Sequence, residues 1–277
     1  MKNYSIRVNR GDVFRWITAG KTADNNAAGI DGTPDSFSGF DRQLQLQVEK
    51  AISRIERSAS ARYVYGVFGI QRQVEEAKET SPLCPERGTC SGDSDRQQGR
   101  SRDVFLSSAG EIILEGTSLR LTGNDISALL KECSRCILLA ATIGAETDRL
   151  IRKAQISNMS DAVILDFCAS SAAEELCSRV YSDLEKEFEE KGFYLTDRFS
   201  PGYGDLPLSL QDEICRVLRT DRRLGLTVSA GGMMIPSKSV TAVIGISGRP
   251  QPKKISGCAG CRMRETCNFR KAGKTCE

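Results

Sequence analysis

The chain has 277 residues, 39% hydrophobic and 27% charged, an ordinary soluble composition at a length where a single core begins to divide. It holds no histidine, which excludes Ser-His-Asp and Cys-His nucleophile activation, His-Glu zinc-hydrolase helices and the imidazole proton shuttle, so acid-base steps fall to Asp, Glu, Lys, Tyr or Cys and metal ligation to sulfur or oxygen. The net charge of +3 is uneven: from Arg249 to Glu277 eight Lys/Arg face only Glu265 and Glu277, a net of +6, which leaves −3 for the rest.

Asp12 to Ala19 predicts a short helix, and Gly20 to Gly39, rich in Gly, Asn, Asp and Ser, a long loop. Leu44, Val48, Ile52 and Ile55 recur at helical spacing from Asp41 to about Arg57. Arg62 to Ile70, rich in β-branched and aromatic residues, predicts a strand. Ser81 to Arg102 loses its apolar content and reads as a surface excursion between two lobes. Glu111 to Leu121 predicts paired short strands around Gly116. Thr122 with Asp125 three residues on has the form of a capping box before Ile126, Leu129, Leu130 and Cys133.

Cys136 to Ile143 is a buried-strand candidate ending in Gly144. A single long helix is expected next, with Val163, Phe167, Leu176, Val180, Leu184 and Phe188 along one side and Gly192 as its stop. After a Gly- and Pro-dense stretch from Asp197 to Leu208, a helix is predicted over Leu210 to Leu218 and strands over Leu224 to Ala230 and Ser239 to Ser247. Strands and helices mix without a regular βαβ rhythm, which favours an α+β fold over a doubly wound parallel sheet. The expected organisation is an N-terminal lobe over 1–104 with its excursion at about 81–102, a core over 105–248 and a basic Cys-rich tail over 249–277.

No segment approaches the roughly 20 apolar residues of a membrane span and Met1 to Asp12 lacks the apolar core of a signal peptide, so a cytoplasmic protein is expected. Eleven cysteines in such a chain point to metal or redox chemistry rather than to a disulfide framework. The basic tail is short, nearly without aromatics and interleaved with cysteines, so its charge is read as serving those cysteines rather than a nucleic acid or a membrane.

The most informative loop is Arg198-Phe199-Ser200-Pro201-Gly202-Tyr203-Gly204. Pro201 fixes one backbone angle, Gly202 and Gly204 permit close approach and unusual dihedrals, and Arg198 is available to clamp a carboxylate. The competing reading of the same residues is a tight turn with a surface arginine. At these residues the sequence resembles the activation domain of cobalamin-dependent methionine synthase, particularly its small standalone relatives. That family carries an Arg-x-x-x-Gly-Tyr signature at its S-adenosylmethionine site, which Arg198, Gly202 and Tyr203 match in order. The likeness extends through Ala140 to Asp148, Ala162 to Ala169, Gly204 to Gln211 and Pro236 to Gly245.

The resemblance implies a twisted, mainly antiparallel sheet with flanking helices. It also implies an S-adenosylmethionine site in which Arg198 pairs the methionyl carboxylate and the backbone from Pro201 through Gly202 to Gly204 contacts the ligand. Tyr203 is left two roles, an aromatic face near the sulfonium or packing of the loop onto the sheet. In the full-length synthase an acidic residue on the long helix and a tyrosine on the late strand also help to bind the ligand; Ser170 and Ile244 stand at those positions here.

The second constellation is Cys258-x2-Cys261-x5-Cys267-x8-Cys276, with Gly257, Gly260 and Gly273 nearby. Four thiolates in such a span suit one metal centre. The spacing favours a [4Fe-4S] cluster, with zinc as the alternative; a cluster with four thiolates carries about two negative charges, which the basic tail would offset. Cys133, Cys136, Cys168, Cys177 and Cys215 read as buried reduced thiols, and Cys84 and Cys90 carry no assignment.

Taken with the resemblance, these residues imply an accessory protein for reductive reactivation of a corrinoid that has fallen to Co(II), with S-adenosylmethionine as methyl donor and a low-potential donor for the electron. The chain lacks an Asp-x-His-x-x-Gly pattern, so the cobalamin is expected on a separate methionine synthase or other corrinoid protein. Two alternatives are an S-adenosylmethionine-dependent methyltransferase acting on another acceptor and a zinc-stabilised, non-catalytic interaction module.

Overall fold

The computed structural model describes residues 4–19, 42–72 and 111–251. Its elements run α1 (Arg10–Ala19), α2 (Arg42–Ser58), β1 (Arg62–Arg72), β2 (Ile112–Leu114), β3 (Arg120–Leu121), α3 (Asn124–Leu129), β4 (Arg135–Thr142), α4 (Ala145–Ser157), α5 (Met159–Glu189), β5 (Tyr194–Leu195), α6 (Leu210–Leu218), α7 (Thr220–Leu224), β6 (Thr227–Val228), β7 (Met234–Ile235) and β8 (Ser239–Ser247). Six strands form one antiparallel sheet in the order β3-β2-β1-β4-β8-β5, and β6 pairs with β7 apart from it. The α+β class and the antiparallel sheet with flanking helices are as expected.

The apolar run of β4 is explained by burial on both faces, since a strand covered on both sides has no solvent face to leave polar. Ile137, Leu139 and Ala141 turn toward the core shared with α1, α2, α4 and α5, whereas Cys136, Leu138 and Ala140 turn toward the core shared with α3, α6 and α7. β1 pairs with β4 from Arg62↔Thr142 to Gly69↔Arg135, so residues on either side of position 104 build one sheet. Helix α2 buries Val48, Ala51, Ile52 and Ile55, the i, i+3, i+4, i+7 stripe of an amphipathic helix.

Four local expectations are corrected. The long helix is two helices, because Asn158 adopts an extended backbone and its side-chain oxygen accepts from the N–H groups of Ser160 (3.0 Å) and Asp161 (3.3 Å), capping α5. Val163 lies outside the buried stripe of α5 and is 46% exposed; the stripe runs instead through Leu165, Cys168, Ala172, Leu176, Val180, Leu184 and Phe188. The strand expected from Leu224 is helical up to Leu224 and extended only at Thr227–Val228. There the Thr220 hydroxyl donates to the Leu226 carbonyl at 2.7 Å and Gly225 takes a left-handed φ of 66° that ends the helix.

The fourth correction concerns α3. Thr122 is not its cap; Gly123 is, with no side-chain cap of its own. The Asp205 carboxylate does this work from the loop after Arg198, accepting from the N–H of Asn124 at 2.6 Å and of Asp125 at 3.1 Å. The two glycines make the exchange possible. A Cβ on Gly123 would run into the Asp205 carboxylate, and one on Gly204, at φ +58°, would run into the Asp125 carboxylate. We expect Asp205→Ala to lose about 1 kcal/mol, the usual value of a helix cap, and Gly204→Ala to lose more because it adds left-handed strain and a collision. Urea unfolding of the two variants checks this, and an unchanged midpoint for Gly204→Ala would refute the interlock.

Candidate functional site

Strand β8 is longer than its outer partner. β5 meets it only at Tyr194↔Ser247 and Leu195↔Ile246. The chain then follows the edge through Thr196 N–H donating to Gly245 O (3.0 Å) and a two-way bridge between Phe199 and Val243 (2.9 and 2.8 Å), and turns away. Because backbone groups alternate along a strand, the side of β8 that serves Val243 also carries the N–H and C=O of Thr241. Beside that edge opens a cleft of about 670 Å³ whose walls include Glu174 and Ser178 of α5, Arg198 and Tyr203 of the loop, Met234 of β7 and Thr241.

Three of the residues singled out in the sequence, Arg198, Pro201 and Tyr203, line this cleft. Gly202 and Gly204 shape the turn behind them, at φ +88° and +58°. The turn is closed by Tyr203 N–H to Ser200 O (3.1 Å) and Gly202 N–H to Leu206 O (2.9 Å). Tyr203 is 67% exposed, so it does not pack the loop onto the sheet; Phe199 fills that role from within the core facing α6. Gln211 lines the cleft and its amide donates to the Gly232 carbonyl, holding the turn that carries Met233 and Met234.

Arg198 is partly sheltered, and its guanidinium lies 3.3 Å from the Glu174 carboxylate, which is well exposed. Below them Cys177 and Tyr181 are kept neutral. Burial pushes the Cys177 thiol up to about 11 although the Arg198 guanidinium pulls it the other way. Burial, then Glu185 and Asp197, raise the Tyr181 phenol, whose hydroxyl donates to Thr196 O at 3.0 Å. The cleft therefore presents one cation, carboxylates at Glu174 and Asp197, and an exposed aromatic ring.

Ser170 and Ile244 do not join the cleft lining. Ile244 is fully buried in the core beneath α5. The Ser170 hydroxyl accepts from the Lys238 ammonium at 2.9 Å and donates to Asp166 O at 3.0 Å, while Lys238 also pairs with the Asp166 carboxylate at 2.8 Å. The residue that sequence reasoning missed is Glu174, one helical turn beyond Ser170 on the same side of α5; the i, i+4 period of the helix was the signal for it.

Cys258, Cys261, Cys267 and Cys276 lie outside the described residues, as do Cys84, Cys90 and the excursion at 81–102. Among the described residues no three His, Cys, Asp or Glu gather as a metal site, and none of their helices is long and apolar enough to cross a membrane. Cys133, Cys136, Cys168, Cys177 and Cys215 are buried free thiols.

The described residues form an α+β fold whose six-stranded antiparallel sheet is layered between two sets of helices, with an open cleft at the edge of β8. Among solved structures it is similar to the crystal structure of the MetH reactivation domain bound to AdoHcy, with a TM-score of 0.55 over 99% of this chain and 86% of that one. At 11% sequence identity this is a likeness of fold. No family model matches the sequence and no curated protein matches it.

Burial raises Cys136 and Cys168 to about 12 and Cys133 to about 11, from an ordinary thiol value of 9.0. An unfolded chain releases these protons first, so their contribution to stability is intact below pH 9 and is lost as pH climbs toward 11 to 12. Urea unfolding is expected to show stability falling across that window, with the five thiols inert to iodoacetamide at neutral pH until the chain unfolds. Rapid native labelling of Cys136 would contradict the buried assignment.

Proposed function

We propose that this protein binds S-adenosylmethionine in the cleft beside β8 and presents it to the corrinoid of a separate protein, a cobalamin-dependent methionine synthase or another corrinoid methyltransferase, during reductive reactivation. The observation that carries this reading is the convergence of Arg198, Pro201 and Tyr203 on one open cleft, in a fold similar to that of a reactivation domain crystallised with AdoHcy. The donor set fits such a ligand: a guanidinium for its carboxylate, a carboxylate for its ammonium and an aromatic face for its sulfonium.

When bound, the ligand supplies an electrophilic methyl group. The chain's own contribution is positioning: Arg198 anchors the head group, the Pro201–Gly204 turn sets how near the backbone comes, and Tyr203 at the mouth covers the sulfonium side and excludes water. No residue has to move a proton, which suits a chain without histidine.

The four tail cysteines extend the proposal. Their spacing and the surrounding +6 charge support a [4Fe-4S] centre that passes the reactivating electron to the partner; such clusters reach about −700 mV at the reducing end of their range. Purified without oxygen, the protein should carry about four irons and give a reducible paramagnetic signal. Stoichiometric zinc without iron would end this part of the proposal.

For the cleft, calorimetric titration with S-adenosylmethionine is expected to show binding by the intact protein. Arg198→Ala should weaken it about 10- to 100-fold, the value of a charge-assisted pair. Equal affinities would remove Arg198 from the site, and methyl transfer to a small acceptor without any corrinoid protein would replace the proposed function with a free-standing methyltransferase.

A further inference from the structure

We infer that a second ligand site lies between α2 and the start of α5, and that it takes a chain of phosphates. The site is a groove of about 630 Å³ whose walls include Lys50, Arg54 and Arg57 of α2 and Asn158, Asp161 and Leu165 at the start of α5. That is the volume of a small-molecule pocket. It stands apart from the cleft beside β8: Asp161 and Glu174 are about 20 Å apart along α5 at 1.5 Å per residue, so neither reading rests on the other.

The sequence of α2 explains the charge of the groove. Lys50, Arg54 and Arg57 stand at i, i+4 and i+7, one stripe that spans about 10 Å of the helix. An acidic residue three or four positions away offsets a cation on a helix surface, whereas like charges at that spacing are destabilising. No position three or four away from any of these cations is Asp or Glu. The acidic residues within α2 are engaged by the N-terminal segment: Glu49 accepts from the Arg10 guanidinium at 2.8 and 3.1 Å, and Glu56 accepts from the Val8 N–H at 3.1 Å. Asp161 is the carboxylate that remains opposite the stripe, in the first turn of α5, where the helix dipole favours it. Among the described residues Lys50, Arg54 and Arg57 form no ion pair. A stripe that only kept α2 hydrated would lie on its open side; this one walls a groove, and Arg54 at its middle is half-buried.

The chemistry of the stripe selects the ligand. Two guanidiniums present planar forks that match phosphate oxygens, and the Lys50 ammonium adds a point charge in line with them. Cations repeated over about 10 Å suit a ligand whose negative charges also repeat along a line, a chain of phosphates, better than a single carboxylate or sulfate. Among the described residues that line the groove there is no Phe, Tyr or Trp, so no ring is offered on which a base could stack. The phosphate chain is the part recognised, whether free or carried by a nucleotide.

Calorimetric titration of the full chain with tripolyphosphate and with adenosine triphosphate, at about 0.15 M salt, tests the site. Wild type is expected to bind both, within about threefold of each other, and a nucleotide preference of about tenfold or more would assign the chain to a nucleotide that also uses the wall at Leu46 and Leu165. Arg54→Gln, and Lys50→Gln combined with Arg57→Gln, should each lose about tenfold or more of this affinity. Arg222→Gln combined with Arg223→Gln, which removes two exposed charges of α7 outside the groove, should stay within about twofold. Circular dichroism verifies that each variant is folded. If wild type binds neither ligand, or if the groove variants bind as well as wild type, the site is overturned. An equal loss in the α7 variant would also overturn it, since the anion would then answer the overall positive charge of the chain rather than the stripe. None of these outcomes alters the reading of the cleft, which Arg198→Ala tests separately.

Discussion

The structure turns on a mismatch in length between two neighbouring strands. β8 runs for nine residues, but β5 offers it only two and the Phe199 bridge only one more. Backbone groups along a strand must be paired or hydrated, so the end of β8 at Ser239 to Thr241 stays at an open edge. The loop that leaves this edge carries Arg198, and α5, packed across the same strand, carries Glu174 one turn beyond Ser170. The cleft follows from the early departure of one chain segment from the edge of β8.

Much of this architecture was legible in the sequence wherever burial alone decided the outcome. The apolar run of β4, the i, i+3, i+4, i+7 stripe of α2 and the β-branched run of β8 each have one stable solution. Elements decided by hydrogen bonds were not legible. Asn158 breaks one expected helix into two with its own side chain, and Thr220 with Gly225 ends α7 where β-branched and apolar residues suggested a strand. The cap of α3 was beyond any local pattern, because its acceptor, Asp205, lies about eighty residues away in sequence.

The cleft was half legible for the same reason. The loop chemistry of Arg198, Pro201 and Tyr203 stands in one short stretch and could be read from it. Glu174 was signalled only by its i, i+4 spacing from Ser170 on α5, because its place facing Arg198 arises across space and the motif itself directs attention to Ser170. Lys238 engages Ser170 and Asp166, so that stretch of α5 is internally compensated. The negative charge left facing the cleft is at Glu174, with Asp197 beside the arginine. The described cysteines are a simpler case, since burial that raises a thiol pKa also withdraws it from chemistry.

The interlock of Gly123 and Gly204 with the carboxylates of Asp205 and Asp125 ties the arginine loop to the short helix α3, which shares a core with Phe199 and Leu206 of the loop. The loop is thus clasped at its far end as well as along the sheet, and swinging it outward would uncap α3. Under the proposed function, a donor must fit a mould that is already set, with adjustment left to side chains such as Glu174 and Tyr203. Sequence drift near Gly123, remote as it is from the cleft along the chain, would register there as a change in the mould.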